Sequence, residues 1–214
     1  MRAREGPRSA CHPGSLEAKA VWLLRSDDHR IVSWKNGGGV TRELASHRED
    51  GGSEDFLWRV SIATVDRDGP FSRFDGVDRT IAVLAGDGLR LATPTDEVDL
   101  LAGGEPYSFN GETPVEASVI TAATTDLNVM TRRGRFRHAM ERLRFDGATT
   151  VIADTDETII VFNGPMTAET SSTRFETRTL DSLHGMASGE RVRLYAEGET
   201  EAFLIRLSGI PASE

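Results

Sequence analysis

Residues 58–65 alternate: Trp58, Val60 and Ile62 fall on one side of an extended segment, and Arg59, Ser61 and Ala63 on the other. A period of two marks a strand with two different faces. Residues 80–85 and 158–162 are short, rich in β-branched side chains and bounded by glycine, the pattern of strands buried on both faces. Weaker forms of the signal recur at 118–121, 126–131, 192–195 and 202–207. Helical periodicity is scarce, and a short helical turn is expected only at 140–143 or 180–186. DRDGP at 66–70 predicts a turn, because Asp and Gly accept turn dihedrals and Pro fixes the next one. The polar, Gly-rich HREDGGSED at 47–55 predicts a surface loop. Residues 1–18 carry arginines and prolines with no period and predict a tail outside the fold.

An internal similarity organises these strands. DRTIAVLAGDGLRL at 78–91 aligns with DETIIVFNGPMTAE at 156–169, an offset of 78, with Asp78/Asp156, Thr80/Thr158, Ile81/Ile159, Val83/Val161 and Gly86/Gly164 in common. Gly111-Glu112-Thr113 aligns with Gly198-Glu199-Thr200 at an offset of 87. Two similar antiparallel β units, each closing its own edges, satisfy this repeat. The 214 residues suffice to bury a core without disulfide or metal staples.

Charge and chemistry narrow the function. Lys and Arg number 25 against 34 Asp and Glu, a net charge of −9, which argues against nucleic-acid binding. Apolar runs fall far short of the roughly 18 residues a membrane helix needs, so no membrane association is expected. The single cysteine, Cys11, cannot form an intrachain disulfide. With no signal-peptide core, a cytoplasmic location is the expectation. The five histidines, His12, His29, His47, His138 and His184, are scattered, so no metal site and no cofactor are expected. Ser61 and Ser72 lack a nucleophile elbow.

Candidate chemistry concentrates in two places. WKNGGGVTREL at 34–44 combines three glycines, which permit close backbone approach, with Lys35 to neutralise an anion and Asn36 to donate and accept; the same run also suits a Gly-rich hairpin. Arg59 and Ser61 share one strand face, and Asp126, Asn128, Met130 and Arg132 share another. If these faces line a barrel interior, they form the wall of a site for a small polar ligand. Arg59 suits a carboxylate, whose two oxygens its planar fork can bind, or pairs with a structural acid such as Glu43 or Asp126. The basic run Arg132-Arg133-Gly134-Arg135 with Arg137 is either a solvated linker or an anion or partner site.

WKNGGGVTREL, then WRVSIATVDRDGPFSRFDGVDRTIAVLAGDGLRL at 58–91 and DLNVMTRRG at 126–134, resemble the HutD/Ves family over about residues 20–134, and weakly beyond. The resemblance implies an all-β double-cupin fold: a first half over 19–134 carrying the pocket, and a second over 135–214. It implies ligand-binding positions Lys35, Asn36, Thr41, Glu43, Arg59, Ser61, Arg79, Asn128 and Arg132, with Trp58, Gly69, Pro70, Phe71, Ser72, Phe74, Gly86, Met130 and Arg133 also in the family pattern. Asp75 stands where the family usually has Pro. Members are often encoded with histidine-degradation enzymes. The expected function is therefore metal-independent binding of a small carboxylated metabolite, such as a formylated or formimino amino acid or an imidazole acid, with a regulatory role. Alternatives are a metal-free isomerase or hydrolase with Glu43 as base and Arg59 holding the substrate, and an interaction protein whose second half docks a partner. A homodimer is compatible with each.

Overall fold

The computed structural model describes residues 20–33, 39–48 and 56–211. It is all-β apart from one short 3-10 turn at Ser26–Asp28. In chain order the strands are β1 (Trp22–Leu24), β2 (Arg30–Ser33), β3 (Gly39–Arg48), β4 (Phe56–Val65), β5 (Gly69–Pro70), β6 (Val77–Ala85), β7 (Leu89–Ala92), β8 (Glu97–Leu100) and β9 (Tyr107–Asn110). They continue as β10 (Glu116–Val119), β11 (Thr124–Arg132), β12 (Phe136–Ile152), β13 (Glu157–Phe162), β14 (Met166–Glu169), β15 (Arg174–Thr177), β16 (Ser182–His184) and β17 (Arg191–Gly209). Strands β2-β3-β4-β11-β6-β9 form one sheet and β5-β10-β7-β8 a second. Strands β1-β16-β13-β17-β14-β15 form a third, with β12 also paired to β17.

The pairings repeat. β6 lies between β11 and β9, as β13 lies between the end of β17 and β16. β7 lies between β10 and β8, as β14 lies between the start of β17 and β15. β4 pairs β11 and β5 pairs β10, as the two ends of β12 pair the two ends of β17. This is a double cupin, and the 78–91 and 156–169 segments occupy equivalent consecutive strands, β6–β7 and β13–β14. The second sequence anchor does not survive: Gly111 follows β9, whereas Gly198 sits inside β17 at its irregularity. There β12 and β17 slip register beside Gly147 and Gly198, both at positive φ, so one bent ribbon serves where the first half uses four strands.

Burial follows the alternation. Trp58, Val60, Ile62, Leu127 and Val129 face Ile159, Val161, Phe203, Ile205 and Leu207 in a core between the halves. A second core fills the barrel of the other half with Ile160, Phe162, Leu183, Val192, Leu194 and neighbours. The first barrel has an apolar cluster at one end around Val65, Ile81, Val83, Leu89 and Leu91, and a smaller one around Phe56, Val77 and Met130.

Three expectations change. Residues 140–143 lie in β12, where pairing with β17 outweighs helix-forming side chains. Residues 182–184 are β16, not a helical turn, and follow Leu180 at φ 68. Although it falls within 19–134, β1 pairs with β16 of the second half, with Trp22 stacked 4.5 Å from His184. Of the loop expected at 47–55, His47 and Arg48 end β3 and the remainder lies outside the described residues. Gly134 turns the chain from β11 into β12, while Arg133 pairs with Asp78 at 2.8 Å and Glu112 at 2.7 Å.

Candidate functional site

Registers in the first sheet set its inner face out as a grid. One row runs Val32, Thr41, Ala63, Asp126, Val83; the next runs Arg30, Glu43, Ser61, Asn128, Ile81, Tyr107; a third runs Ser46, Arg59, Met130, Arg79, Phe109. Directly opposed residues on antiparallel strands point to the same face, so these rows converge on one side of the sheet. They wall a cavity of ≈ 760 Å³. Its far side is the segment after β5, where Pro70, Phe71, Ser72 and Phe74 line the space. The Phe71 N–H donates to Val115 O at 2.9 Å and the Phe74 N–H to Gly111 O at 2.8 Å.

Two guanidinium groups flank Met130. Arg59 stacks on Phe56 and Phe74, 5.1 and 5.6 Å from the ring centroids. Arg79, only 5% exposed, stacks on Phe71, Phe74 and Phe109 at 5.3, 5.6 and 4.8 Å. Each such contact stabilises a desolvated cation by up to about 2 kcal/mol. Neither expected structural acid closes on Arg59. Glu43 takes hydrogen bonds from Arg48 at 3.3 Å and Ser46 at 3.1 Å, while Arg59 directs Nη2 at the Met130 sulfur, 3.5 Å away. Arg79 Nη1 donates to Ser72 O at 3.3 Å. The Nε atoms of both arginines are buried with no hydrogen-bond partner among the described residues.

Burial lowers the pKa of Arg59, and lowers that of Arg79 to about 10, where Asp126 opposes the shift. Asp126 is 1% exposed, and burial pushes its carboxyl up to about 7 against the pull of Arg79. Burial of charge in low dielectric produces such shifts, and their clustering in one cavity makes it the candidate site.

Thr41, Glu43, Arg59, Ser61, Arg79 and Asn128 are therefore brought together on one wall. Arg132 shares the strand but lies one step beyond Met130, donating to Asp75 O at 2.9 Å rather than lining the cavity. Lys35 and Asn36 lie outside the described residues. Asp126, read from the sequence both as a member of the Asn128 strand face and as a partner for Arg59, lines the cavity itself. Arg30 and Val32 enter the wall through the β2–β3 pairing and Arg48 through the end of the β3–β4 pairing, which no local pattern announced. No group of three His, Cys, Asp or Glu side chains among the described residues is placed to hold a metal ion.

The HutD family model matches residues 26–204. The chain belongs to the HutD family. A 21.2 kDa protein of the hutC 3′ region of Pseudomonas putida is 33% identical over 180 residues, covering 82% of this chain and 92% of that protein. Protein Ves of Citrobacter koseri is 38% identical over 103 residues, 48% of this chain and 53% of Ves. The structure of HutD from Pseudomonas fluorescens, in a formate condition, superposes with a TM-score of 0.75 at 26% identity, covering 90% of this chain and 100% of that one. No helix among the described residues is long and apolar enough to cross a membrane.

Proposed function

We propose that this HutD-family chain is a metal-independent binding protein for a small carboxylated metabolite, with Arg59 as the carboxylate anchor. The observation that carries the reading is the unsatisfied guanidinium. A half-buried cation with no ion pair to an acid among the described residues is costly to keep, and a ligand carboxylate supplies the missing partner. The relative from the hutC 3′ region and the family resemblance point to acids of histidine degradation, and binding without turnover fits a regulatory role. Glu43, the base of the enzymatic alternative, is engaged by Arg48 and Ser46, which favours binding over catalysis.

A thermal-shift screen of imidazole acids and of formylated and formimino amino acids tests the reading, since ligand at 100 times its Kd adds roughly 2.7 kcal/mol. With a hit in hand, calorimetry on Arg59→Ala is expected to lose about 2–5 kcal/mol of binding. Arg59→Lys does not rescue it, because an ammonium lacks the fork. Ligand-free Arg59→Ala is expected to lose at most about 1–2 kcal/mol of unfolding stability, from its contacts with Phe56 and Phe74. Unchanged affinity with a several-kcal/mol loss of stability would make Arg59 a structural residue and overturn the assignment. Turnover on prolonged incubation would replace binding with catalysis, and a stoichiometric transition metal in the purified protein would end the metal-independent reading.

A further inference from the structure

The cavity wall leaves four side-chain atoms buried and unpartnered among the described residues, and they are not mixed. Arg59 Nε and Arg79 Nε are donors. Asp126 Oδ1 and Asn128 Oδ1 are acceptors. The donors come from the row that holds Met130; the acceptors come from the next two rows along β11. Each row lies about 7 Å from the next along the strand. Glu43 stands in the same row as Asn128, across Ser61. The Met130 end of the face thus offers unpartnered donors and the Asp126–Asn128 end unpartnered acceptors, while Glu43 is flanked by Arg30 and Arg48. Buried polar atoms are satisfied in nearly every folded protein, so a patterned set of orphans describes the molecule that completes it.

We propose that the cavity selects a ligand carrying a carboxylate at one end and a nitrogen group with N–H donors, preferably cationic, at the other, and that Asp126 with Asn128 reads the nitrogen end. This deepens the proposed function and rests on its carboxylate anchor. Asp126 is the discriminating residue. Its Oδ1 has no hydrogen-bond partner among the described residues, it is almost wholly buried, and its register neighbours are Ala63 and Val83; Arg79 attracts it only at longer range, with no hydrogen bond between them. A structural role would be filled at less cost by an apolar side chain. Its raised carboxyl pKa of about 7 reflects the same lack of a partner. An N–H donor supplies that partner, whereas a second carboxylate meets Asp126 as a like charge.

Three probes of equal chain length separate the possibilities: glutarate, its terminal amide glutaramate, and 4-amidinobutanoate. They share one carboxylate and differ only in a planar far end that is anionic, neutral with N–H, or cationic with N–H. Calorimetry at pH 8 on the full chain is expected to rank amidinium above amide above carboxylate, with at least about tenfold between the extremes. In Asp126→Asn, an isosteric change, the span collapses to about threefold or less. The ligand-free variant stays close to wild-type stability, because the desolvation of a buried acid is removed together with its attraction to Arg79. The inference fails if glutarate binds wild type as tightly as the amidine, or if Asp126→Asn leaves the ratio unchanged. Dependence of all three probes on Arg59 distinguishes that failure from failure of the anchor. Should none of the three bind, or all bind independently of Arg59, the carboxylate reading falls and this one with it.

Discussion

His138 enters the first half from the start of β12 and bridges two of its strands. One ring nitrogen bonds Thr131 Oγ1 at 2.7 Å and the other Thr80 Oγ1 at 2.8 Å, and Thr80 in turn meets Ser108 at 2.7 Å. Burial holds its pKa at about 4, with Asp78 only partly opposing. A folded-state value below the unfolded 6.5 means that the neutral ring is the form folding favours. Its contribution is complete above pH 6.5 and is lost as pH falls toward 4. The loss amounts to at most about 3 kcal/mol. Denaturant unfolding of wild type at pH 8, 6, 5 and 4 should show this slope. His138→Gln should be less stable at pH 8 yet flatter in acid. Identical slopes would remove His138 as the origin. His184, held at about 3 by burial and by His29, adds to the same acid limb from the other half.

Among the elements, the segment after β5 decides how closed the cavity is. It packs so tightly on the β9–β10 turn that a Cβ on Gly111 would meet Phe74 O at 2.6 Å and Val77 O at 2.9 Å, both backbone atoms. Gly111→Ala must therefore displace the strip bearing Phe71 and Phe74. It is expected to weaken carboxylate binding at least about tenfold and to cost about 1–3 kcal/mol of stability. Calorimetry paired with thermal unfolding checks this; wild-type affinity would show that the strip does not shape the site. The alternation at 58–65 already separated Arg59 and Ser61 from Trp58 and Val60, because a two-faced strand writes its faces into its sequence. The strand pairs at 78–91 and 156–169 were legible for a similar reason: each half needs the same buried centre. What stayed hidden is set by partners distant along the chain. β12 reads as scattered polar and apolar residues because only β17 makes it a strand. Arg30 reaches the wall only because β2 pairs with β3.

At the scale of the molecule, two features tie the halves together. Their shared core takes side chains from both, and β1 pairs with β16 before the chain crosses to β2 in the first sheet. Neither half can open without exposing the other's apolar face. A single cooperative transition is expected, with calorimetric and van't Hoff enthalpies in agreement and with fluorescence and far-UV circular dichroism curves coincident. Trp22 and Trp58 place fluorescent reporters on the β1–β16 contact and on the shared core. Two resolved transitions would mean that the halves fold independently.

Strand β4 has one face on the cavity and the other on the core between the halves, and this division reaches further than the geometry itself. Any single substitution along it falls on one side or the other. A saturation library over residues 58–63, sorted once for cellular abundance and once for ligand capture, should therefore yield two interleaved phenotypes. Changes at Trp58, Val60 and Ile62 deplete the protein; changes at Arg59 and Ser61 leave it abundant but unable to retain ligand. Specificity in this chain is thus open to redesign one position in two, while the intervening positions keep the scaffold fixed.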